Sequence, residues 1–274
     1  LIQNNILGET FNMIFCSLYS GSSGNSIFLA SHHTKILVDA GLSGKSIEKG
    51  LTRIGYKANE IDAILVTHEH IDHIKGVGVL SRKYNIPIYA NFLTWKAMMK
   101  SIGKIKENNI RVITKNTINI NDMDITGFSI SHDAVDPYGY AIDCHNKRAC
   151  IATDLGFIPE ETKSILKNSD VILLESNHDV EMLKFGPYPY ELKRRILGKK
   201  GHLSNDDCGK AILDILNSSK FKRIVLGHLS KINNYPELAY QTVAATLSTA
   251  GVKLNVDVNV STAKRNEPSN FINF

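Results

Sequence analysis

Several features that would narrow the class of this protein are scarce or absent in its sequence. The 274 residues include four cysteines, none in a Cys-x-x-Cys pair, and their scattered spacing is not that of a disulfide framework. Reduced thiols in a cytoplasmic protein are the simpler interpretation. No apolar run approaches the roughly 18 residues that a membrane helix needs, and no segment has the pattern of an export signal. We therefore expect a cytoplasmic protein with no membrane partner.

Neither the charge nor the composition is extreme. Lys and Arg number 32 against 27 Asp and Glu, so the net charge of +5 permits a polyanionic partner without demonstrating one. With 43% hydrophobic residues, the chain can bury one sizeable core. No linker, low-complexity tract or short repeat divides it, which predicts a single domain over 13–274. We expect the polar stretch 1–12 to be an N-terminal extension that precedes a natural start at Met13.

Apolar strand patterns alternate with helix patterns in both halves of the chain. Strands are predicted at 13–20, 26–31, 35–41, 62–67, 138–143, 148–153, 170–176 and 253–258. Helices are predicted at 43–54, 72–84, 93–102, 159–167, 189–198, 205–217 and 236–250. Because antiparallel pairs are mixed in, the pattern predicts an α/β (α+β) fold. Two mixed sheets would face one another with helices outside.

The densest group of metal-binding side chains lies in the stretch VTHEHIDHIKG, residues 66–76. Four candidate ligands fall within six residues there: His68, His70, Asp72 and His73. In an extended segment alternate side chains point the same way, so His68 and His70 are co-directed and Glu69 points away. One ion takes only a few nitrogen or oxygen ligands. We therefore expect this cluster to be divided between two neighbouring ions.

Three further candidate ligands each follow an apolar strand directly. They are His132, Asp154 and His228. Polar groups at the ends of separate strands can converge in one cleft. Taken singly, each would more often be a structural histidine or a turn aspartate, but together with the cluster at 68–73 they favour a metal site. The remaining turn histidines are expected to be exposed: His32, His33 and His145.

The stretch THEHIDH resembles the His-x-His-x-Asp-His signature of the metallo-β-lactamase fold. The resemblance implies a four-layer αββα sandwich that holds two divalent cations, zinc or manganese, with iron also compatible with the ligands. It implies that one cation is held by His68, His70, His132 and Asp154. It implies that the other is held by Asp72, His73, Asp154 and His228, so that Asp154 bridges the two.

The resemblance also carries a mechanism. Two such cations can share a water and convert it to a hydroxide near neutral pH, and that hydroxide would attack a phosphodiester. Asp72 would serve both as a ligand and as the group that orients the nucleophile. We expect His202 to protonate the leaving oxygen or to contact a phosphate. The alternative for His202 is a structural histidine beside a helix.

Candidate substrate contacts lie outside the ligand set. A basic run before His202 predicts contact with a phosphate backbone, the alternative being a solvated helix end: Lys193, Arg194, Arg195, Lys199 and Lys200. The loop GSSGN can bring backbone N–H groups to an anion, or it can be an ordinary hairpin loop. Its candidate contacts are Ser22, Ser23 and Asn25. His178, after another strand, is a candidate residue of the site rim.

Longer stretches of the sequence restrict the family resemblance to one subgroup. SGSSGNS, THEHIDHIKGVG, SHDAVDPYGY, TDLG, LESNHDVEML and GHLSN are together similar to the YycJ/WalJ-type subgroup of bacterial exonucleases. This resemblance implies a 5′-to-3′ DNA exonuclease acting in DNA repair, with DNA preferred over RNA as its partner.

Two other classes remain open. An RNA-processing or small cyclic-phosphate phosphodiesterase of the same fold is the nearest alternative, although no long arm of the kind found in tRNA-processing members interrupts the chain. A non-hydrolytic di-iron redox protein is more remote. Members of that class typically replace the second histidine of the signature by glutamate, whereas this chain has His70.

Overall fold

The computed structural model describes residues 13–114, 117–216 and 220–274, so the predicted extension at 1–12 lies outside the described residues. The strands are β1 (Ile14–Tyr19), β2 (Ser26–Ala30), β3 (Lys35–Val38), β4 (Ala63–Leu65), β5 (Ile88–Asn91), β6 (Ile110–Ile113), β7 (Thr117–Ile120), β8 (Met123–Ser129), β9 (Tyr138–Cys144), β10 (Lys147–Ala152), β11 (Val171–Glu175), β12 (Lys222–Gly227), β13 (Val258–Thr262) and β14 (Ile272–Asn273). The α-helices are α1 (Gly44–Arg53), α2 (Ile71–Ile74), α3 (Val77–Tyr84), α4 (Phe92–Ile102), α5 (Glu160–Lys167), α6 (Val180–Phe185), α7 (Tyr190–Ile196), α8 (Asn205–Ile215) and α9 (Pro236–Thr249). Among the described helices, none combines the length and apolarity needed to cross a membrane.

The strands form two mixed sheets. The first has the order β14-β1-β2-β3-β4-β5-β6 and the second the order β13-β12-β11-β10-β9-β8-β7. In the first, β1, β2 and β3 are antiparallel neighbours, whereas β3 to β6 run parallel. In the second, β7 to β10 are antiparallel and β10 to β13 parallel.

The core is layered because strand side chains alternate between the two faces of each sheet. In β3, Ile36 and Val38 pack into the core between the sheets, while Leu37 packs under the helices of the first sheet. In β11, Leu173 lies between the sheets, and Leu174 packs with α8 and α9. This arrangement of helix, sheet, sheet and helix confirms the predicted αββα sandwich.

The carboxyl ends of the key strands meet at one edge of the sandwich. β3 and β4 are parallel neighbours, as are β10, β11 and β12, and β8 has the same direction as β10 because both are antiparallel to β9. The residues that follow these strands therefore lie on neighbouring loops at this edge. Every strand-end ligand predicted from the sequence falls on one of those loops.

The continuous helix predicted over 72–84 was wrong, since two helices replace it. The chain turns at Gly76, whose N–H donates to the carbonyl of Ala40 at 2.7 Å. A Cβ at this position would lie 2.3 Å from the carbonyl oxygen of Leu42. The close approach of the loop after β3 thus ends α2 after one turn, and it fixes the direction in which His73 projects.

Candidate metal centre

All seven predicted ligands converge at the edge where the strands end. His68, His73, His132, Asp154 and His228 are buried, whereas His70 and Asp72 are partly exposed. His68 and His70 extend from the segment after β4, and Asp72 and His73 lie on α2. The other three follow β8, β10 and β12.

One group consists of three imidazoles. Nε2 of His68 lies 3.1 Å from Nδ1 of His70, and Nε2 of His132 lies 3.3 Å from the same atom. Metal–nitrogen bonds of about 2.0–2.1 Å in a tetrahedron place neighbouring ligands about 3.3 Å apart. The three nitrogens therefore have the spacing of ligands around one cation.

The second group combines two imidazoles with a carboxylate. Oδ2 of Asp72 lies 3.7 Å from Nε2 of His73 and 3.8 Å from Nε2 of His228. Asp154 lies between the two groups: one oxygen is 3.3 Å from Nε2 of His73, and the other is 3.4 Å from Nε2 of His228 and 3.8 Å from Nε2 of His132.

The chemistry of these donors fits divalent cations. Nε2 of His228 and Oδ2 of Asp154 are buried without a hydrogen-bond partner among the described residues. Buried polar atoms are normally paired, and an unpaired one costs about 1–3 kcal/mol. A cation held by nitrogen and oxygen donors would satisfy both atoms, since zinc, manganese and iron all accept this donor set.

The pKa values of two ligand histidines are shifted in opposite directions in the metal-free centre. Burial, reinforced by neighbouring histidines, lowers the pKa of His68 well below its ordinary value, so this ring is neutral as a ligand must be. Burial would also lower the pKa of His73, but the carboxylates of Asp154, Asp39 and Asp72 outweigh it and raise the pKa to about 9. In the absence of a cation, a proton on His73 therefore compensates the negative charge of the site.

Asp39 is a site residue that the sequence reasoning missed. Nδ1 of His73 donates to its carboxylate at 2.8 Å, and the backbone N–H and hydroxyl of Thr67 donate to the same group at 2.9 and 2.8 Å. This fixes the ring so that Nε2 faces the other ligands. Asp39 follows an apolar strand just as Asp154 does, and that pattern was the available signal.

Glu175, at the end of β11, is the second residue that was missed. Its Oε1 accepts hydrogen bonds from Nδ1 of His202 at 2.8 Å and Nδ1 of His228 at 2.7 Å, and its Oε2 accepts from the N–H groups of Leu155 at 2.8 Å and Leu203 at 3.2 Å. Burial favours the neutral acid, but His202 and His228 outweigh it and hold the pKa of Glu175 below its ordinary range. One fully buried carboxylate thus orients both a metal ligand and the predicted catalytic histidine.

His202 lies where a proton donor could act. Its ring centre is 5.2 Å from that of His132 and 5.3 Å from that of His228, and the side chain is 18% exposed. Although burial lowers its pKa, the adjacent Glu175 raises it more, so the net shift is upward. An imidazole whose pKa is raised, next to the ligand groups and partly exposed to solvent, is suited to general acid chemistry.

The Gly/Ser loop divides into exposed and buried parts. Ser22 and Ser23 are exposed, whereas Asn25 is buried with its amide nitrogen 3.1 Å from Nε2 of His73. Asn25 also accepts a hydrogen bond from the N–H of Gly21 at 2.9 Å. The serines are accessible to a substrate, while Asn25 belongs beside the metal ligands.

Two residues of the basic run, Arg195 and Lys200, lie near His132. Arg195 forms an ion pair with Asp133, next to His132, and Nζ of Lys193 donates to the carbonyl of Lys184 at 2.8 Å. Lys200 lines a surface depression together with His132. Exposed cations also include Arg194 and Lys199.

Two other histidine predictions have different outcomes. His178 is 1% exposed and its backbone bridges to Ser204, so it does not form part of an accessible site rim. The turn histidines are exposed as predicted: His32, His33 and His145. Glu69 points away from the ligands, also as predicted, and accepts a hydrogen bond from the N–H of Val135 at 2.9 Å.

Three site residues have left-handed backbone conformations. The φ angles are 62° at Asp39, 61° at Asp154 and 55° at His228. Non-glycine residues adopt this region rarely, at a cost of about 1–3 kcal/mol each. Each turn is made at the end of a strand, where it directs the side chain into the centre.

The chain belongs to the beta-lactamase superfamily, because the model of the beta-lactamase superfamily domain matches residues 34–229. It is thus an enzyme of a metal-dependent hydrolase class.

Two curated relatives cover nearly the whole chain. It is 46% identical over 246 residues to the exodeoxyribonuclease WalJ of Streptococcus pneumoniae serotype 2, a match that covers 89% of this chain and 91% of WalJ. It is 42% identical over 238 residues to the exodeoxyribonuclease YycJ of Bacillus anthracis, covering 86% of this chain and 90% of YycJ. The resemblance to the YycJ/WalJ-type subgroup is therefore confirmed.

A solved structure supports the fold. The metallo-beta-lactamase fold protein YhfI of Bacillus subtilis superposes with a TM-score of 0.67, over 94% of this chain and 98% of YhfI. The two chains are 17% identical, so the likeness concerns architecture alone.

Proposed function

We propose that the protein is a dinuclear-metal phosphodiesterase that degrades DNA from its 5′ end towards its 3′ end. The observation that carries the proposal is the pair of ligand groups that share Asp154. The relatives WalJ and YycJ, named as exodeoxyribonucleases, supply the substrate class. A role in DNA repair, which the subgroup resemblance implies, is part of the same proposal. A cytoplasmic location agrees with four cysteines that all remain free thiols.

The proposed ligand sets follow the two groups of donor atoms. His68, His70 and His132 would hold one cation, and Asp72, His73 and His228 the other, with Asp154 bridging them. Zinc or manganese suits these donors, and iron is compatible with them. Such a pair of cations would supply Lewis acidity, which would lower the pKa of a water molecule and polarise the phosphoryl oxygen.

Protein groups would position the nucleophile and handle the protons. Asp72, with a side chain 24% exposed, can accept a hydrogen bond from the attacking water and so fix its direction. The Nδ1–H group of His202 donates a hydrogen bond to Glu175 at 2.8 Å. The second proton of the imidazolium is then carried by Nε2. That proton would pass to the leaving oxygen of the phosphodiester. General acid catalysis of this kind is worth about 10²–10⁴-fold in rate.

Cationic and aromatic side chains offer a path for the strand. Lys200, which lines a surface depression together with His132, would contact a phosphate next to the cleaved one. Phe185 is 84% exposed and Tyr190 is 72% exposed, at the end of α6 and the start of α7. Exposed aromatic rings next to cations are suited to stacking on unpaired bases. The serines of the Gly/Ser loop, Ser22 and Ser23, would approach the strand from the other side.

A cleavage time course tests the proposal. DNA and RNA, each single- and double-stranded and labelled at either end, would be incubated with the zinc or manganese enzyme. We expect stepwise loss of nucleotides from the 5′ ends of DNA. The His202→Ala enzyme should keep its metal content and lose most of its rate. Internal cuts, faster loss from RNA, or turnover of a lactone without cleavage of any nucleic acid would contradict the assignment.

A further inference from the structure

A second group of metal-binding side chains lies at the opposite end of the sandwich. β2 and β9 are antiparallel to β3 and β10, so their carboxyl ends lie at the edge remote from the strand ends that carry the catalytic ligands. Three turns meet at this remote edge: 31–34 after β2, 121–122 between β7 and β8, and 145–146 between β9 and β10. The first belongs to one sheet and the other two to the second.

Three different ligand types face one another there. Asp122, Cys144 and His145 each contribute a ligand atom, and these atoms all lie within 4.8 Å of one another. The thiol of Cys144 is 1% exposed and lies 3.7 Å from Oδ2 of Asp122, to which it can donate. His145 is exposed to solvent.

The carboxylate of Asp122 is held in place before any ligand arrives. Its Oδ1 accepts hydrogen bonds from the hydroxyl of Ser31 at 2.7 Å and from the hydroxyl of Thr34. Those two hydroxyls come from the other sheet and leave Oδ2 directed at the thiol. Hydrogen bonds that orient a ligand in this way are typical of protein metal sites.

The backbone of His145 adds to this preorganisation. Its φ is 53°, a left-handed conformation in a two-residue hairpin loop. In this turn a ring nitrogen of His145 lies within 4.8 Å of the thiol of Cys144. The φ outlier, the oriented carboxylate and the buried thiol all occur within one small volume.

We propose that Asp122, Cys144 and His145 form a metal site for one zinc-like cation, separate from the catalytic centre. Thiolate, imidazole and carboxylate together select zinc over magnesium or calcium, and a water would complete four-coordination. On binding, the thiol of Cys144 releases its proton to solvent and the thiolate bonds to the cation, with no change of oxidation state.

The surrounding charges agree with a cation and not with a reactive thiol. Burial, with the carboxylate of Asp122 second, raises the pKa of Cys144 to about 11. A free nucleophilic or redox-active cysteine needs the reverse environment, one that stabilises the thiolate by positive charge. A divalent cation supplies that positive charge itself. The bound ion would join two turns of the second sheet, and the turn at 31–34 of the first sheet is attached to them through its hydrogen bonds to Asp122.

Cobalt substitution tests the site independently of nuclease activity. Metal-free protein would be titrated with Co²⁺, and the near-ultraviolet spectrum would be followed for a thiolate-to-cobalt charge-transfer band. The proposed catalytic ligands are all nitrogen and oxygen donors, so such a band reports a thiolate ligand alone. We expect the band in the wild-type protein and in an Asp154→Ala variant that lacks the shared catalytic ligand.

Matched variants decide whether Cys144 is that ligand. Cys144→Ala should abolish the band, and Cys150→Ala, which removes another buried thiol from the same hairpin, should leave it unchanged. His145→Ala changes an exposed side chain, so it should fold normally while weakening cobalt binding at this site. Thr34→Val should weaken it about 10–100-fold, as for other residues that orient ligands. No thiolate band, or one that survives Cys144→Ala, would overturn the site without affecting the exonuclease proposal.

Discussion

Glu175→Gln should strongly lower the stability of the protein, although the two side chains have almost the same shape. The carboxylate accepts four hydrogen bonds, two from histidine N–H groups on Oε1 and two from backbone N–H groups on Oε2. A glutamine offers one oxygen and one NH₂ group. Whichever way the amide is turned, its NH₂ faces two donors, so two of the four bonds are lost.

The expected destabilisation follows from that count. A hydrogen bond to a charged group is worth about 1.5–3 kcal/mol, so losing two should lower the free energy of unfolding by about 3–6 kcal/mol. Urea unfolding of the metal-free protein at neutral pH would measure it. Glu69→Gln is the matched control, because Glu69 accepts a single hydrogen bond from the described residues, through Oε1, and an amide oxygen preserves it. A loss below about 1 kcal/mol for Glu175→Gln would refute the reasoning, since surface substitutions alone reach about 0.5 kcal/mol.

The same variant should change the pH dependence of cleavage. Glu175 raises the pKa of His202, and a general acid is active only while it is protonated. Activity of the wild-type enzyme should therefore fall as the pH rises through the raised pKa. In Glu175→Gln that fall should begin at a lower pH. Superimposable pH profiles would show that Glu175 does not hold the proton of His202.

Three further predictions concern the metal site and the path of the strand. In metal-free protein the pKa of His73 is raised from 6.5 to about 9, so protonation of this ring stabilises the fold. That stability is fully present below pH 6.5 and is lost as the pH rises to 9. Urea titrations with a chelator should show a decrease of about 3 kcal/mol in the free energy of unfolding over this range, and constant stability would contradict the prediction. Lys200→Ala should reduce the slope of log K against log salt for single-stranded DNA by about 0.7, whereas Lys83→Ala on α3 should not, and equal slopes would remove Lys200 from the interface. Tyr190→Ala should weaken binding of single-stranded DNA by about 1–3 kcal/mol in an anisotropy titration while Tyr190→Phe binds normally; equal losses in the two variants would exclude stacking.

The sequence allowed all seven candidate ligands to be predicted because their signals are local. His68, His70, Asp72 and His73 lie in one short motif, and the others directly follow apolar strands. That these side chains converge then follows from the rule that the carboxyl ends of parallel strands meet at one edge of a sheet. The αββα arrangement could be predicted for the same reason.

The residues that orient the ligands could not be predicted in this way. Asp39 and Glu175 act on Nδ1 of histidines that are 34 and 53 residues distant in the chain. From the sequence alone, an aspartate after a strand is equally well a turn residue, and Glu175 is simply the last residue of a buried strand. Only the register of neighbouring strands decides which imidazole each carboxylate faces.

One strand prediction failed because local backbone geometry is not visible in the pattern of apolar residues. The predicted strand 253–258 was wrong in position, since β13 begins only at Val258. The preceding segment forms a turn in which Asn255 has a φ of 63° and the N–H of Lys253 donates to the carboxylate of Asp257 at 2.7 Å. The alternation of apolar residues persists through that turn, so periodicity could not locate its end.

The left-handed backbone conformations of Asp39, Asp154 and His228 cost folding free energy at residues that form the metal centre. Glycine would adopt each of these backbone angles without strain, but it would also remove the hydrogen bond or ion pair that each side chain makes in the metal-free centre. Backbone strain and side-chain interactions therefore act in opposite directions at the same three positions. Bound cations would add to the side-chain interactions, so metal supply in the cell would act as an evolutionary constraint against glycine at these strand ends.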